Sequence, residues 1–223
     1  VDATEDRHLL EIGVACTDLP LITGGSGIAL GLPENFRRRG LLQSAAGAEA
    51  MPEVGGTAAV LAGSCSAATL GQIETFAKSH SVLKLDPLAI AVGRTSAADA
   101  LAWAKPKLAS GPVLIYASAP PADVAAIQAK LGRELAGALV EQTLADIAAG
   151  LVAAGVRRLV VAGGETSGAV VQRLGVTTLR IGRQIDPGVP WTFSLEEPRL
   201  ALALKSGNFG GVDFFEKALE MVR

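Results

Sequence analysis

Arg158-Leu159-Val160-Val161-Ala162-Gly163-Gly164-Glu165-Thr166-Ser167-Gly168 passes from a short apolar run through paired glycines into a helical pattern that reaches Leu174. The run has the length of a buried strand, the glycines permit a sharp turn, and the residues after them carry helix spacing. The same order occurs twice more toward the N-terminus. Residues 58–62 lead into Gly63-Ser64-Cys65-Ser66 and a helix over 67–79, and residues 19–22 lead into Thr23-Gly24-Gly25-Ser26-Gly27 and a helical stretch to Arg39.

Residues 82–85 and 113–117 read as further strands, with helices over 97–108, 121–131 and 134–154 and an amphipathic helix over 4–18. Strands alternating with helices predict an α/β fold, a three-layer, Rossmann-like and mainly parallel sheet with helices on both faces. Residues 177–185, 191–194 and 200–204 follow one another as strands without helices between them, so antiparallel pairing is expected near the C-terminus. Ser206-Gly207-Asn208-Phe209-Gly210-Gly211 then precedes a last helix over 213–221. The Ala-rich stretch 45–56 reads as a surface connection.

Composition narrows the function. The chain has 223 residues, enough for one sizeable core, and one domain over 1–223 is the default reading. Hydrophobic residues make up 49% and aromatics 4%, so Ala, Val, Leu and Ile must fill the interior. Twenty basic against 22 acidic side chains provide no polycationic face, which disfavours nucleic acid as a partner. Cys16 and Cys65 show no CxxC pattern, and two histidines offer no zinc spacing, so no metal site or disulfide framework is expected. The mean hydropathy of +0.38 is not concentrated in an uninterrupted membrane-length run, and the acidic residues before Leu19 do not suit a signal peptide. The expected setting is reduced and cytoplasmic, without a membrane partner. A chain that opens on Val1 within a helical pattern reads as a piece of something longer.

In an open parallel sheet, loops at the carboxyl ends of strands converge on one edge, where ligands bind. Four glycine-rich turns are expected there, and their bare amides, with the dipole of the following helix, suit the polyphosphate of ATP. Neither common fingerprint is matched. In residues 25–31 the last glycine of a GxGxxG pattern falls one position late, which weakens an NAD-binding reading. Gly163 and Gly168 have P-loop separation, but Ala169 and Val170 replace the lysine and hydroxyl residue. Ser26, Ser64, Ser66, Thr166, Ser167 and Ser206 can either bond phosphate or cap helices. Lys205 can neutralise phosphate or simply be solvated. Glu165 can hold Mg²⁺, directly or through water, or serve as an acid at a helix N-terminus. Cys65 reads as a small buried filler, and His8 and His80 as helix-face residues.

Five blocks make the pattern specific: residues 21–27, 61–66, 162–168, Pro187-Gly188-Val189-Pro190-Trp191, and Leu204-Lys205-Ser206-Gly207-Asn208-Phe209-Gly210. Taken in this order, they resemble the C-terminal nucleotide-binding domain of the four-carbon acid sugar kinase family. The resemblance implies ATP and Mg²⁺ as cofactors and a tetronate or 3-oxo-tetronate as substrate. It also implies a covalently linked N-terminal substrate domain without counterpart here. ATP contacts are implied at Ser64, across Gly163, Gly164, Glu165, Thr166 and Ser167, and at Gly207, with Ser66, Lys205, Ser206 and Asn208 beside them. Gly24, Gly25, Ser26 and Gly27 are expected at the substrate edge. No catalytic residue is assigned: Asn208 follows Gly207 where many sugar kinases place an aspartate, and Asp213 is the nearest carboxylate, which helix capping explains equally well. A non-catalytic nucleotide or phosphosugar sensor is the rival reading, and homo-oligomerisation stays open.

Overall fold

Apolar side chains at both odd and even positions of the central strands require cover on both sides, and the computed structural model provides it with helices on each face. Residues 1–43 and 51–222 are described. The chain forms two compact units, Val1–Ala48 and Glu49–Arg223.

The second unit contains β1 (Thr57–Ala62), α3 (Ala67–Phe76), β2 (Ser81–Lys84), α4 (Pro87–Ala91), α5 (Ala97–Ala104), β3 (Val113–Tyr116), α6 (Pro121–Leu131) and α7 (Arg133–Ala153). It continues with β4 (Val156–Ala162), α8 (Gly164–Arg173), β5 (Leu179–Asp186), β6 (Val189–Ser194), β7 (Ala201–Lys205) and α9 (Phe214–Glu220). The seven strands lie in the order β2-β3-β1-β4-β7-β6-β5. The first five are parallel, while β6 runs antiparallel to both β7 and β5. The α/β architecture expected from the sequence is therefore present, with the antiparallel edge at the C-terminal strands.

Alternation along the strands divides the core. Ala59, Leu61, Val113, Ile115, Leu159, Val161 and Leu202 face α5, α7 and α8, where Leu144, Ile147 and Leu151 are fully buried. Ala58, Val60, Ala62, Val160, Ala201 and Ala203 face α3 and α9, where Phe76, Phe214 and Phe215 fill the space that alanines leave. Small strand residues thus admit large helical ones, a close-packed solution with few aromatics. By length and composition α7 could cross a membrane, but its buried leucines and isoleucine make it a core helix of this sheet.

The first unit contains α1 (Asp6–Ala15), a 3₁₀ helix over Ser26–Gly31 and α2 (Leu32–Arg38). Gly13 and Gly31 meet backbone to backbone, so a Cβ on Gly13 would lie 2.4 Å from the Gly31 Cα. Asn35 Nδ2 donates to Gly13 O at 2.6 Å and fixes that crossing. Here the structure corrects the sequence reading. Residues 19–22 form no strand: Pro20 lacks an N–H, Leu21 is 78% exposed, and the described residues of this unit include no strand to pair with. Gly24, Gly25, Ser26 and Gly27 therefore do not follow a strand, and three strand-end glycine loops remain of the four expected. The dinucleotide reading of residues 25–31 loses the strand–turn–helix context that it requires. Residues 45–50 of the stretch 45–56 lie outside the described residues.

Trp191 joins the antiparallel edge to α9. It is fully buried, and its indole Nε1 donates to Ala218 O at 2.9 Å. Trp191→Ala is expected to lower unfolding stability by about 3–5 kcal/mol, read from denaturant midpoints at unchanged slope.

Candidate functional site

Register brings three strand ends abreast: Ala62 pairs with Ala162, and Ala162 pairs with Lys205. After β1 the chain departs through α3 on one face, and after β4 through α8 on the other. The crevice between these ends is a switch point, where open α/β sheets bind ligands. The loops after β1, β4 and β7 thus share one rim, and backbone bonds tie them together. Gly63 N and Ser64 N both donate to Ala162 O, at 3.0 and 3.1 Å, and Gly163 N donates to Lys205 O at 2.9 Å. These amides are spent on joining the loops. What Ser64 presents to the rim is its side chain, whose Oγ accepts from Ser66 N at 3.3 Å.

The available amides lie one step further on. Gly164, Glu165 and Thr166 form the first turn of α8, whose amides have no carbonyl within the helix to bond. Gly163 reaches this turn with a φ of 130°, open to glycine and rarely adopted by other residues. Gly164 is exposed, and nothing lies within 4 Å of the position its Cβ would take. Beside it Glu165 is exposed as well. Thr166 and Ser167 are turned inward instead: Thr166 is 3% exposed, and Ser167 Oγ points back at Val161 O. The Ser167 hydroxyl is turned to the strand, while Thr166 lines the neighbouring cavity.

The loop after β7 is gripped by α3. Ser66 caps that helix, accepting from Thr69 N at 3.2 Å, and donates to Gly207 O at 2.6 Å. Thr69 Oγ1 donates to the same oxygen at 2.9 Å. One turn later Gln72 Nε2 lies 3.0, 3.1 and 2.9 Å from the carbonyls of Phe209, Gly210 and Gly211. Asp186 accepts from Gly211 N at 2.9 Å and pairs with Lys217. Burial alone would raise the Asp186 carboxyl, but the Lys217 ammonium and the Gly211 amide outweigh it and hold the group below its ordinary value. Gly207 packs closely here, since a Cβ would fall 2.2 Å from Ser64 Oγ and displace that side chain.

Lys205 is not a surface lysine. Its side chain is 1% exposed, and Nζ donates to Thr69 Oγ1 at 3.1 Å, Ser206 O at 3.1 Å and Gly207 O at 2.9 Å. An ammonium has three N–H groups, and all three are used beneath the loop. Ser206 and Asn208 are exposed above it. Asp213 precedes α9 without making a side-chain capping bond, so capping does not account for it.

A cavity of about 150 Å³ opens beside the α8 turn, between the strand ends and the helices α6 and α7. Its wall is mainly apolar, with Ala119, Ile127 and Val140, and it reaches Glu165. Cys65 is not the buried filler expected: it is half-buried, lines this cavity, and its Sγ accepts from Ala119 N at 3.4 Å. Glu141 is the second acid of the wall; burial, and then the charge of Glu165, raise its carboxyl above the ordinary value. Thr69, Gln72 and Glu141 were not singled out from sequence. The Ser66–Thr69 spacing of a helix cap was a usable signal for the first, and one further turn leads to Gln72.

Among the described residues no group of three or more His, Cys, Asp and Glu could hold a metal ion. Gly24, Gly25, Ser26 and Gly27 belong to the first unit, while Ser64, Ser66, the 163–167 turn and 205–208 come together in the second.

The model of the nucleotide-binding C-terminal domain family matches residues 59–215, which include all three loops. A 3-oxo-tetronate kinase of Cupriavidus necator is 59% identical over 99% of this chain and 51% of its own length. A 3-oxo-tetronate kinase of Burkholderia multivorans is 58% identical over 98% of this chain and 51% of its own length. The solved structure of a Haemophilus influenzae protein aligns with a TM-score of 0.78 at 39% identity, covering all of this chain and 53% of that one. The chain spans about half the length of these relatives.

The close fit between two loops can be tested by overpacking. A Cβ on Gly63 would lie 2.2 Å from Thr166 Oγ1 and 3.2 Å from Leu144 Cδ1. Gly63→Ala is expected to cost about 1–3 kcal/mol, and Thr166→Ala in the same chain to recover part of that cost in a double-mutant cycle of thermal unfolding.

Proposed function

The chain belongs to the nucleotide-binding C-terminal domain family, and from that premise we propose that it is the ATP-holding part of a kinase for four-carbon acid sugars. The observation that carries this reading is the open first turn of α8, at the switch point of the sheet and beside an apolar cavity. The turn offers amides and a positive dipole end to phosphate, and the cavity offers apolar walls to a nucleoside. The sugar class comes from the relatives that bear the name 3-oxo-tetronate kinase.

On this reading the polyphosphate lies along Gly163 and Gly164 toward Ser64 and Gly207, with the nucleoside in the cavity near Cys65. ATP supplies the transferred phosphoryl group, and Mg²⁺ neutralises charge on its oxygens. Mg²⁺ commonly takes one or two carboxylates together with phosphate oxygens, and Glu165 beside the open turn fits that role. Phosphoryl transfer relies mainly on positioning and charge stabilisation, which rigid tied loops provide. A linked N-terminal domain holds the acid sugar and the group that accepts its proton, in a cytoplasmic protein.

The protein with both halves is expected to phosphorylate 3-oxo-tetronate, erythronate or threonate in the presence of ATP and Mg²⁺, followed by ADP release. Binding of ATP with no turnover of any of these acids would favour the sensor. Preferential binding of NAD would overturn the assignment to ATP. Gly164→Val is expected to retain the fold, because open space surrounds the new side chain, and to weaken ATP binding by more than about tenfold in calorimetric titration. A folded variant with unchanged affinity would remove the α8 turn from the site.

A further inference from the structure

Three donors converge on one acceptor in the loop after β7: Ser66 Oγ at 2.6 Å, Thr69 Oγ1 at 2.9 Å and Lys205 Nζ at 2.9 Å all point at Gly207 O. A peptide unit is planar and trans, so its C=O and N–H point in opposite directions. Holding the Gly207 carbonyl inward therefore turns the Asn208 amide outward, and no backbone carbonyl among the described residues accepts from it. We propose that Lys205 is a positioning residue that sets nucleotide affinity without touching the nucleotide, by fixing the Gly207 peptide so that the Asn208 amide faces the phosphates. The inference rests on the nucleotide reading above and assigns a different role to Lys205 than direct neutralisation.

The chemistry of the cluster supports this division of labour. Lys205 sends one N–H each to Thr69, Ser206 and Gly207, so it is fully engaged only as the ammonium. Thr69 Oγ1 accepts from Lys205 and donates to Gly207, which makes the hydroxyl a relay whose direction the charge enforces. A buried cation on a carbonyl also polarises that peptide and strengthens its N–H as a donor.

The charge can be removed by pH. Burial alone pulls the ammonium down from the ordinary lysine value to about 8. The flanking β6 brings no titratable side chain; α3 brings Glu74, β4 Arg157 and Arg158, and α8 Glu165 and Arg173. On α9 lie Glu216, Lys217 and Glu220, with Asp213 ahead of it, and none of these groups contributes to the shift. Above about pH 8 the amine keeps two N–H groups for three acceptors, so the loop loosens and phosphate binding weakens. A bound polyphosphate favours the charged form, and by linkage its binding must draw a proton onto Lys205 in that range.

Calorimetric titration of the purified protein with MgADP, repeated in buffers of different ionisation heat, measures both quantities. The wild type is expected to lose affinity as pH rises through about 8 and to take up about half a proton per ADP, or more, near pH 8.5 to 9. Lys205→Met is expected to bind ADP at least about tenfold more weakly at neutral pH and to take up none. Lys205→Arg keeps its charge throughout, so its affinity should be flat across the same range. Proton uptake in Lys205→Arg as large as in the wild type would overturn the inference. Affinity that is independent of pH in the wild type, or an unchanged Lys205→Met, would overturn the inference while leaving the nucleotide site standing. Absence of ADP binding by the wild type at every pH would overturn the nucleotide reading itself, and this inference with it.

Discussion

The lateral alignment of β1, β4 and β7 is the constraint on which the rest depends. Because Ala62, Ala162 and Lys205 end their strands side by side, the three following loops must share one rim, and the first amides after β1 and β4 bond across to the neighbouring strand end. The first turn of α8 keeps open amides because a helix gives them no carbonyl, while the amide just before it is spent on joining the loops. Rigidity and availability thus come from adjacent residues of one turn. Gly163 does the joining and Gly164 faces outward.

The two faces of the sheet contribute differently to that rim. On one face α3 reaches across with Ser66, Thr69 and Gln72 and takes hold of the carbonyls of residues 207 and 209–211. On the other, α6 and α7 stand away from the strand ends and leave the cavity that Cys65, Ile127 and Val140 line. A helix that grips backbone makes a precise loop; a helix pair that leaves apolar space makes a pocket. A polyphosphate and a nucleoside need those two things respectively.

Much of this was legible in the sequence because it is local. Apolar runs followed by glycine and helix spacing located β1, α3, β4 and α8, and the helix-free run of strands placed the antiparallel edge. Where local pattern lacked a partner the reading failed: residues 19–22 resemble a short strand, but the described residues of their unit include no strand to pair with. The clasp on Gly207 was hidden for another reason, since Ser66 and Lys205 come from opposite ends of the unit. One clue was present, because period two sets Lys205 on the same face as Ala201 and Ala203, both fully buried. A lysine on that face is either strained or employed.

The central claim is that the first turn of α8 grips the phosphates of a nucleotide whose base side lies in the neighbouring cavity. A crystal structure of the protein with MgADP bound tests it most directly. The account predicts phosphate oxygens about 3 Å from the amides of Gly164 and Glu165, with adenosine toward Cys65. Phosphates placed elsewhere on the sheet, with that turn facing solvent, would contradict it.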